Sequence, residues 1–205
     1  MAAAGREIEI KLRIESAGEA RKRIEAAGFE IFRPRVFEAN LLLDTAAASL
    51  QTAGETLRVR ERGGETILTY KGPVERDRHK SREEIETSAG EAPAILAILA
   101  RLGFAPSYRY EKFRTEYARR GEPGVATVDE TPIGCFIELE GEGDWIDHTA
   151  ARLGFSENDY VNDSYAAMFR RYCFENGIEI GAGMIFGEHP SEKLRVPDKV
   201  RPKDT

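Results

Sequence analysis

Seven segments of this 205-residue chain alternate charged and apolar residues with a period of two, the signature of a β-strand with one polar and one apolar face. In the first, EIEIKLRI, Glu7, Glu9, Lys11 and Arg13 share one face, and Ile8, Ile10, Leu12 and Ile14 share the other. LRVRER sets Arg58, Arg60 and Arg62 against Leu57 and Val59, and ILTYK keeps Thr69 and Lys71 in register. REEIE aligns Arg82, Glu84 and Glu86, and YEKFRTE aligns Lys112, Arg114 and Glu116. ATVDE offers Asp129, and FIELE sets Glu138 and Glu140 against Ile137 and Leu139. A lone strand of this kind is a half-buried strand with a wet outer face. Repetition with charges of both signs makes the charged face a property of the whole fold.

The remaining signals order these strands. A strand at 6–14 leads to a helix near 17–27, opened by a Ser16 to Glu19 capping box and ended by Gly28. A strand at 36–44 follows, then strands at 55–62 and 65–71 joined at Gly63-Gly64, the clearest hairpin in the chain. Next come a strand at 81–87, a helix at 92–102, strands at 108–118, 124–130 and 135–141, and helices near 143–153 and 160–175. Eight strands with few crossover helices predict a largely antiparallel sheet of the α+β class. Eight is also a number at which a sheet can close into a barrel around a small cavity. A closed eight-stranded antiparallel β-barrel with helices packed outside turns its apolar faces out to those helices and its charges inward. The helices carry matching apolar residues: Ile95, Leu96, Ile98, Leu99 and Leu102 on one, Ala166, Met168, Phe169 and Tyr172 on another. Residues 1–175 are expected to form this one domain. The tail 176–205 mixes Gly, Pro and charge without periodicity and is expected to be poorly ordered or loosely docked.

A net charge of −6 makes a nucleic-acid partner unexpected, so any anion site must be local. The N-terminus lacks an apolar leader, and the longest apolar run, APAILAILA, is too short to span a bilayer, so no membrane partner is expected. Cys135 and Cys173 lack CxxC spacing, which fits packing residues in a reducing, cytoplasmic setting. His79, His148 and His189 read as surface residues, and no Ser or Cys nucleophile has a base. Neither GxxxxGK[ST] nor a GxGxxG after a strand is present, so side chains must bind any phosphate.

The inward candidates are Lys11, Arg13, Arg58, Arg60, Lys71, Arg82, Lys112 and Arg114 against Glu7, Glu9, Glu84, Glu86, Asp129, Glu138 and Glu140. Such charges are costly inside a protein unless each meets a partner. Glu7 with Glu9 and Glu138 with Glu140 come as two ExE pairs from the first and last strands, which closure can set face to face. Alternate carboxylates on one strand lie roughly 6.5–7 Å apart, so two facing pairs repel unless a cation sits among them. Oxygen-only ligands favour Mg²⁺ or Mn²⁺ over zinc. The basic cluster then calls for an anion of high charge density, and guanidinium groups match phosphate oxygens. A linear triphosphate with a divalent metal satisfies both halves.

The segments EIEIK (7–11), LRVR (57–60), TYKGP (69–73), REEIE (82–86), EKFR (111–114), VDETPIGCFIELE (128–140) and SY (164–165) together resemble the CYTH family, the triphosphate tunnel metalloenzymes. That family groups class IV adenylyl cyclases with thiamine triphosphatases and inorganic triphosphatases, and the layout is most similar to the cyclase type. The resemblance spans about residues 6–175 and implies an eight-stranded tunnel. It implies metal on Glu7, Glu9, Glu138 and Glu140 with Asp129 beside them, and Mg²⁺ or Mn²⁺ as the cofactor. It implies catalytic and triphosphate contacts from Lys11, Arg58, Arg60, Lys71 and Arg114, with Arg82 and Lys112 next to them. The expected partner is a triphosphate: ATP for a cyclase, tripolyphosphate or thiamine triphosphate for a hydrolase. A non-catalytic polyphosphate or nucleotide sensor and a homodimer stay open. Some triphosphatases close the tunnel with a basic residue on a C-terminal helix, for which Arg170 and Arg171 are the nearby candidates.

Overall fold

In the computed structural model, which describes residues 3–76, 78–181 and 183–187, the charged faces of the strands meet around a common interior. The strands are β1 (Ala3–Ile14), β2 (Glu30–Thr45), β3 (Thr56–Arg62), β4 (Glu65–Lys71), β5 (Glu75–Arg76), β6 (Lys80–Ala89), β7 (Phe104–Ala118), β8 (Val125–Thr131), β9 (Gly134–Glu140), β10 (Tyr160–Val161) and β11 (Gly183–Met184). Neighbours run β1-β9-β8-β7-β2-β3-β4-β6, and β6 pairs with β1 again, which closes eight antiparallel strands into a barrel. Five helices flank it: α1 (Ala17–Ala26), α2 (Ser49–Ala53), α3 (Ala92–Arg101), α4 (Gly143–Arg152) and α5 (Tyr165–Asn176). The fold is the expected α+β barrel.

The apolar faces pack outward as the alternation requires. Ile10, Leu12 and Ile14 of β1 join Ile137 and Leu139 of β9 against Ile24 of α1 and Ile146 of α4 in one buried cluster. Leu41, Leu43 and Val59 meet Leu96 and Leu99 of α3 in a second, while Ile98 of that helix and Leu102 at its C-cap face solvent. Truncating a fully buried member such as Leu139 to alanine costs about 2–5 kcal/mol by lost transfer energy and the cavity left behind.

Most boundaries follow local chemistry. Gly63 and Gly64 adopt φ of 57° and 90°, the positive values that a tight hairpin turn needs. Ser16 caps α1 by accepting the Glu19 N–H at 3.2 Å, but the Glu19 carboxylate turns to Arg23 at 2.9 Å and leaves the reciprocal half of the capping box unmade. β2 begins at Glu30 rather than near 36, because its pairing with β7 shifts register on both sides of Arg33 and so accommodates Pro34, which lacks an N–H. α5 begins at Tyr165 rather than 160: Tyr160 and Val161 pair with β1, and the Ser164 hydroxyl caps the helix by accepting the Ala167 N–H at 3.2 Å. Beyond residue 176, Gly183–Met184 pairs parallel with β7 and Met184 is fully buried. Residues 182 and 188–205, His189 among them, lie outside the described residues.

Candidate functional site

Closure leaves a lumen of about 630 Å³ lined by side chains from every barrel strand. Eleven basic and eight acidic residues line it, a local excess of three positive charges inside a chain whose net charge is −6. Lys11 of β1, Arg58 and Arg60 of β3, Lys71 of β4, Arg82 of β6, and Lys112 and Arg114 of β7 all reach it, each from the period-two face that carries its strand's charges. Glu7, Glu9, Glu138 and Glu140 line it as well, and Glu9 stands directly across the ladder from Glu140.

Two groups of contacts organise the interior. In the first, Lys71 Nζ lies 2.6 Å from Glu7 and Arg82 Nε 2.9 Å from its other oxygen, while Lys11 Nζ is 3.0 Å from Glu9 and 3.4 Å from Glu138. Lys80 also donates to Glu9. Burial and Glu9 push the Glu7 carboxyl up, but Lys71, Arg82 and Lys80 outweigh them and hold it at about 2. Glu140 is the exception. It makes no ion pair among the described residues, and desolvation, then the charges of Glu7 and Glu9, push its carboxyl up to about 7.

In the second group, Asp129 accepts from Arg114 Nε at 2.7 Å, Lys112 Nζ at 2.8 Å and the Tyr165 hydroxyl at 2.7 Å. Asp129 is fully buried and does not line the lumen. It sits behind the two cations it anchors, and one nitrogen of the Arg114 guanidinium bridges it to Glu138. Glu38, equally buried, does similar work from β2, with Arg60 at 3.5 Å and Lys112 at 3.7 Å. Arg13 lies off the lumen with its guanidinium 4.8 Å from the Phe136 ring. Glu84 and Glu86 line the lumen and lie 3.7 and 3.5 Å from Arg58.

Several lumen residues were not singled out from the sequence. Lys80 precedes the expected start of β6 but continues the Arg82, Glu84, Glu86 register one step back. Tyr110 shares the face of Lys112 and Arg114, and its hydroxyl lies 3.4 Å from Arg58 Nη1. Burial pushes that phenol up, but Arg58, Arg60 and Lys112 pull it down to about 8. Tyr165, already marked by the SY segment, reaches the lumen from the first turn of α5 together with Ala166. Arg171 pairs with Asp163 at 2.8 Å, and neither it nor Arg170 lines the lumen. His79 is not a free surface residue, since its Nε2 lies 2.8 Å from Asp147 on α4, outside the lumen.

A hollow barrel with a cationic lumen and facing ExE pairs is the arrangement anticipated from the motifs, and the CYTH domain family matches residues 5–165 of this chain. The chain belongs to the CYTH domain family. Proteins of this family bind triphosphate substrates and use divalent metal ions. A candidate adenylate cyclase of Methanocaldococcus jannaschii is 29% identical over 135 residues, which span 65% of this chain and 75% of that protein. Among solved structures, a candidate adenylate cyclase from Vibrio parahaemolyticus superposes with a TM-score of 0.67 at 22% identity, covering 80% of this chain and 97% of that one. A Hippeastrum protein described as a candidate adenylyl cyclase with a dominant triphosphatase activity superposes with a TM-score of 0.59 at 18% identity, covering 87% and 100%. These two likenesses show the CYTH fold. No helix among the described residues is long and apolar enough to cross a membrane.

The fit of a divalent ion to this CYTH domain rests on the donor set. Glu7, Glu9, Glu138 and Glu140 offer only hard oxygen ligands, the donor type that suits a divalent ion such as Mg²⁺ or Mn²⁺. Among the described residues no three of these carboxylates yet converge on one point, because Lys11, Lys71, Lys80 and Arg82 engage them.

Proposed function

We propose that this CYTH domain is a metal-dependent enzyme that binds a triphosphate in the lumen and acts as a class IV adenylyl cyclase, converting ATP to cyclic AMP and pyrophosphate. The observation that carries this reading is a lumen lined by an excess of basic residues beside two glutamate pairs from β1 and β9, with Glu9 directly across the ladder from Glu140. Phosphoryl chemistry asks for positioning and charge neutralisation more than for covalent help from the protein.

Arg58, Arg60, Lys112 and Arg114 approach from β3 and β7 and would clamp the phosphate oxygens, with Arg58 held in place by Thr69 at 3.1 Å and Arg60 by Asn40 at 2.8 Å. Lys11 and Lys71 pair with glutamates that line the lumen beside them, so each would move from a carboxylate to a phosphate oxygen as substrate enters. Tyr110, between Arg58 and Lys112, can donate its O–H to a phosphate oxygen. Glu7, Glu9, Glu138 and Glu140 would hold Mg²⁺ or Mn²⁺, which supplies Lewis-acid polarisation of the phosphate when bound. In the cyclase reaction the ribose 3′-hydroxyl gives up its proton to water as its oxygen bonds to the α-phosphorus, the bond from that phosphorus to the bridging oxygen breaks, and pyrophosphate carries the electron pair away.

Hydrolysis of tripolyphosphate or thiamine triphosphate by the same lumen is the second reading, supported by the triphosphatase activity described for the Hippeastrum protein. The protein incubated with ATP, tripolyphosphate or thiamine triphosphate and Mg²⁺ or Mn²⁺ decides between them by its products. Cyclic AMP from ATP is the expected result, and orthophosphate alone would replace the cyclase by a hydrolase. Glu9→Gln should abolish turnover with the circular-dichroism spectrum unchanged. Turnover that survives this change would remove the carboxylates from the reaction.

A further inference from the structure

The eight strands leave one stretch of the barrel wall short of a partner. β2 pairs with β7 from Phe104 to Ala118, but β8, on the other side of β7, pairs with it only from Phe113 onward. An edge of this kind presents unpaired N–H and C=O groups. The chain covers it with its own C-terminal segment: Gly183 and Met184 pair in parallel with Arg109 and Tyr110. This strap lies beyond residues 5–165, which match the family, and none of the roles above uses it.

The docking is specific. Gly183 has a φ of 131°, and a β-carbon there would overlap the Arg109 carbonyl oxygen, so the close approach requires glycine. Met184 is fully buried in one apolar cluster with Tyr110 of β7 and with Tyr165, Met168, Phe169 and Cys173 of α5. The Phe186 N–H donates to the buried Glu111 carboxylate at 3.1 Å, and the Phe186 ring centroid lies 5.5 Å from that of Phe113.

What the strap holds down is α5. That helix packs on β7 and on the strap, while Tyr172 and Phe174 on it face solvent. Its first turn delivers Tyr165 to the lumen, where the ammonium groups of Lys11 and Lys112 lie 5.4 and 5.3 Å from the ring centroid and the hydroxyl donates to Asp129 at 2.7 Å. An aromatic face at that range attracts an ammonium group. A shift of α5 would therefore release two lumen lysines at once.

We propose that residues 183–187 are a positioning strap for the site: docked in the open edge of β7, they fix α5, and α5 fixes the Tyr165 ring against Lys11 and Lys112. The inference rests on the triphosphate reading of the lumen. Met184 touches no substrate in this scheme and acts through Tyr165.

Calorimetry with Mg²⁺ and a methylene-bridged analogue of tripolyphosphate, which resists turnover, tests it together with hydrogen exchange. Gly183→Ala should undock the strap, speed amide exchange in residues 165–176 by at least about tenfold, and weaken the analogue by roughly tenfold, the equivalent of one charge-assisted hydrogen bond. In a Tyr165→Ala background the same change should cost less than about twofold, because the group it acts through is gone. Met184→Ala, which empties the buried position without a backbone clash, should weaken the analogue in the same direction, and Met184→Leu should recover most of that loss. Met184→Ala decides the matter should Gly183→Ala not fold. Affinity within about twofold of wild type in the folded strap variants would overturn the positioning role and leave the lumen reading intact. Losses from Gly183→Ala and Tyr165→Ala that simply add would also overturn it, by making the strap a stabilising element that does not act through Tyr165. Failure of the wild-type protein to bind the analogue would overturn the lumen reading and the strap with it.

Discussion

Replacing Asp129 by asparagine removes one negative charge from a site that receives Arg114, Lys112 and the Tyr165 hydroxyl, all within 2.8 Å. Asp129 and Lys112 are almost wholly buried, so solvent cannot compensate. Arg114 retains Glu138, but Lys112 is left with Glu38 at 3.7 Å, beyond hydrogen-bond length. Removing one partner of a buried ion pair costs about 3–5 kcal/mol, and the lower end is expected because asparagine still accepts one hydrogen bond. At ~2–4 °C per kcal/mol for a chain of this size, the melting temperature should fall by roughly 6–12 °C. Urea denaturation with an unchanged slope gives the free energy directly. Tripolyphosphate should recover more stability in the variant than in the wild type, because its charge replaces the missing carboxylate beside Lys112 and Arg114. If Asp129 instead acted as a metal ligand repelled by its neighbours, its replacement would leave the metal-free protein as stable or more stable. A loss under about 1 kcal/mol would therefore refute the anchoring role.

Glu140 sets a pH dependence with a definite sign. Its folded carboxyl is raised to about 7 from the usual 4.5, so the folded state binds the extra proton between those values and stability falls as pH rises through that window. Urea midpoints in EDTA should show this fall, Mg²⁺ should reduce it, and Glu140→Gln should remove it; a midpoint that rises through the window would refute the crowding. Arg58→Ala should weaken binding of tripolyphosphate by roughly 10- to 100-fold, as expected for a charge-assisted hydrogen bond worth about 1.5–3 kcal/mol, and should flatten the salt dependence. Calorimetry at two ionic strengths checks both, and an unchanged affinity would take Arg58 out of the phosphate clamp.

The faces of the strands were legible because alternation is local: a period of two assigns each side chain to one side of its own strand wherever the strand ends up. Lys11, Arg58, Arg60, Lys71, Arg82, Lys112, Arg114 and the four glutamates line the lumen for that reason. Lys80 and Tyr110 obey the same rule. Lys80 lies one residue before the expected strand, and Tyr110 carries no charge to mark it as part of the polar face. Glu38 was hidden in VFEANLLLD, where one carboxylate among apolar residues gives no charged alternation.

From the sequence alone came the barrel class, the charged interior and the strand-by-strand list of side chains that enter it, since each depends on residues two apart. Depth came only with the tertiary structure. Asp129 shares a face with Thr127, yet Thr127 borders the lumen and Asp129 sits behind Lys112 and Arg114 under Tyr165. Glu138 and Glu140 are neighbours on one face, yet Glu138 is paired with Lys11 and Arg114 while Glu140 is left among like charges. Position along a barrel axis is set by the register between distant strands and by the helix that packs against its end, and neither leaves a trace in the spacing of residues along one strand.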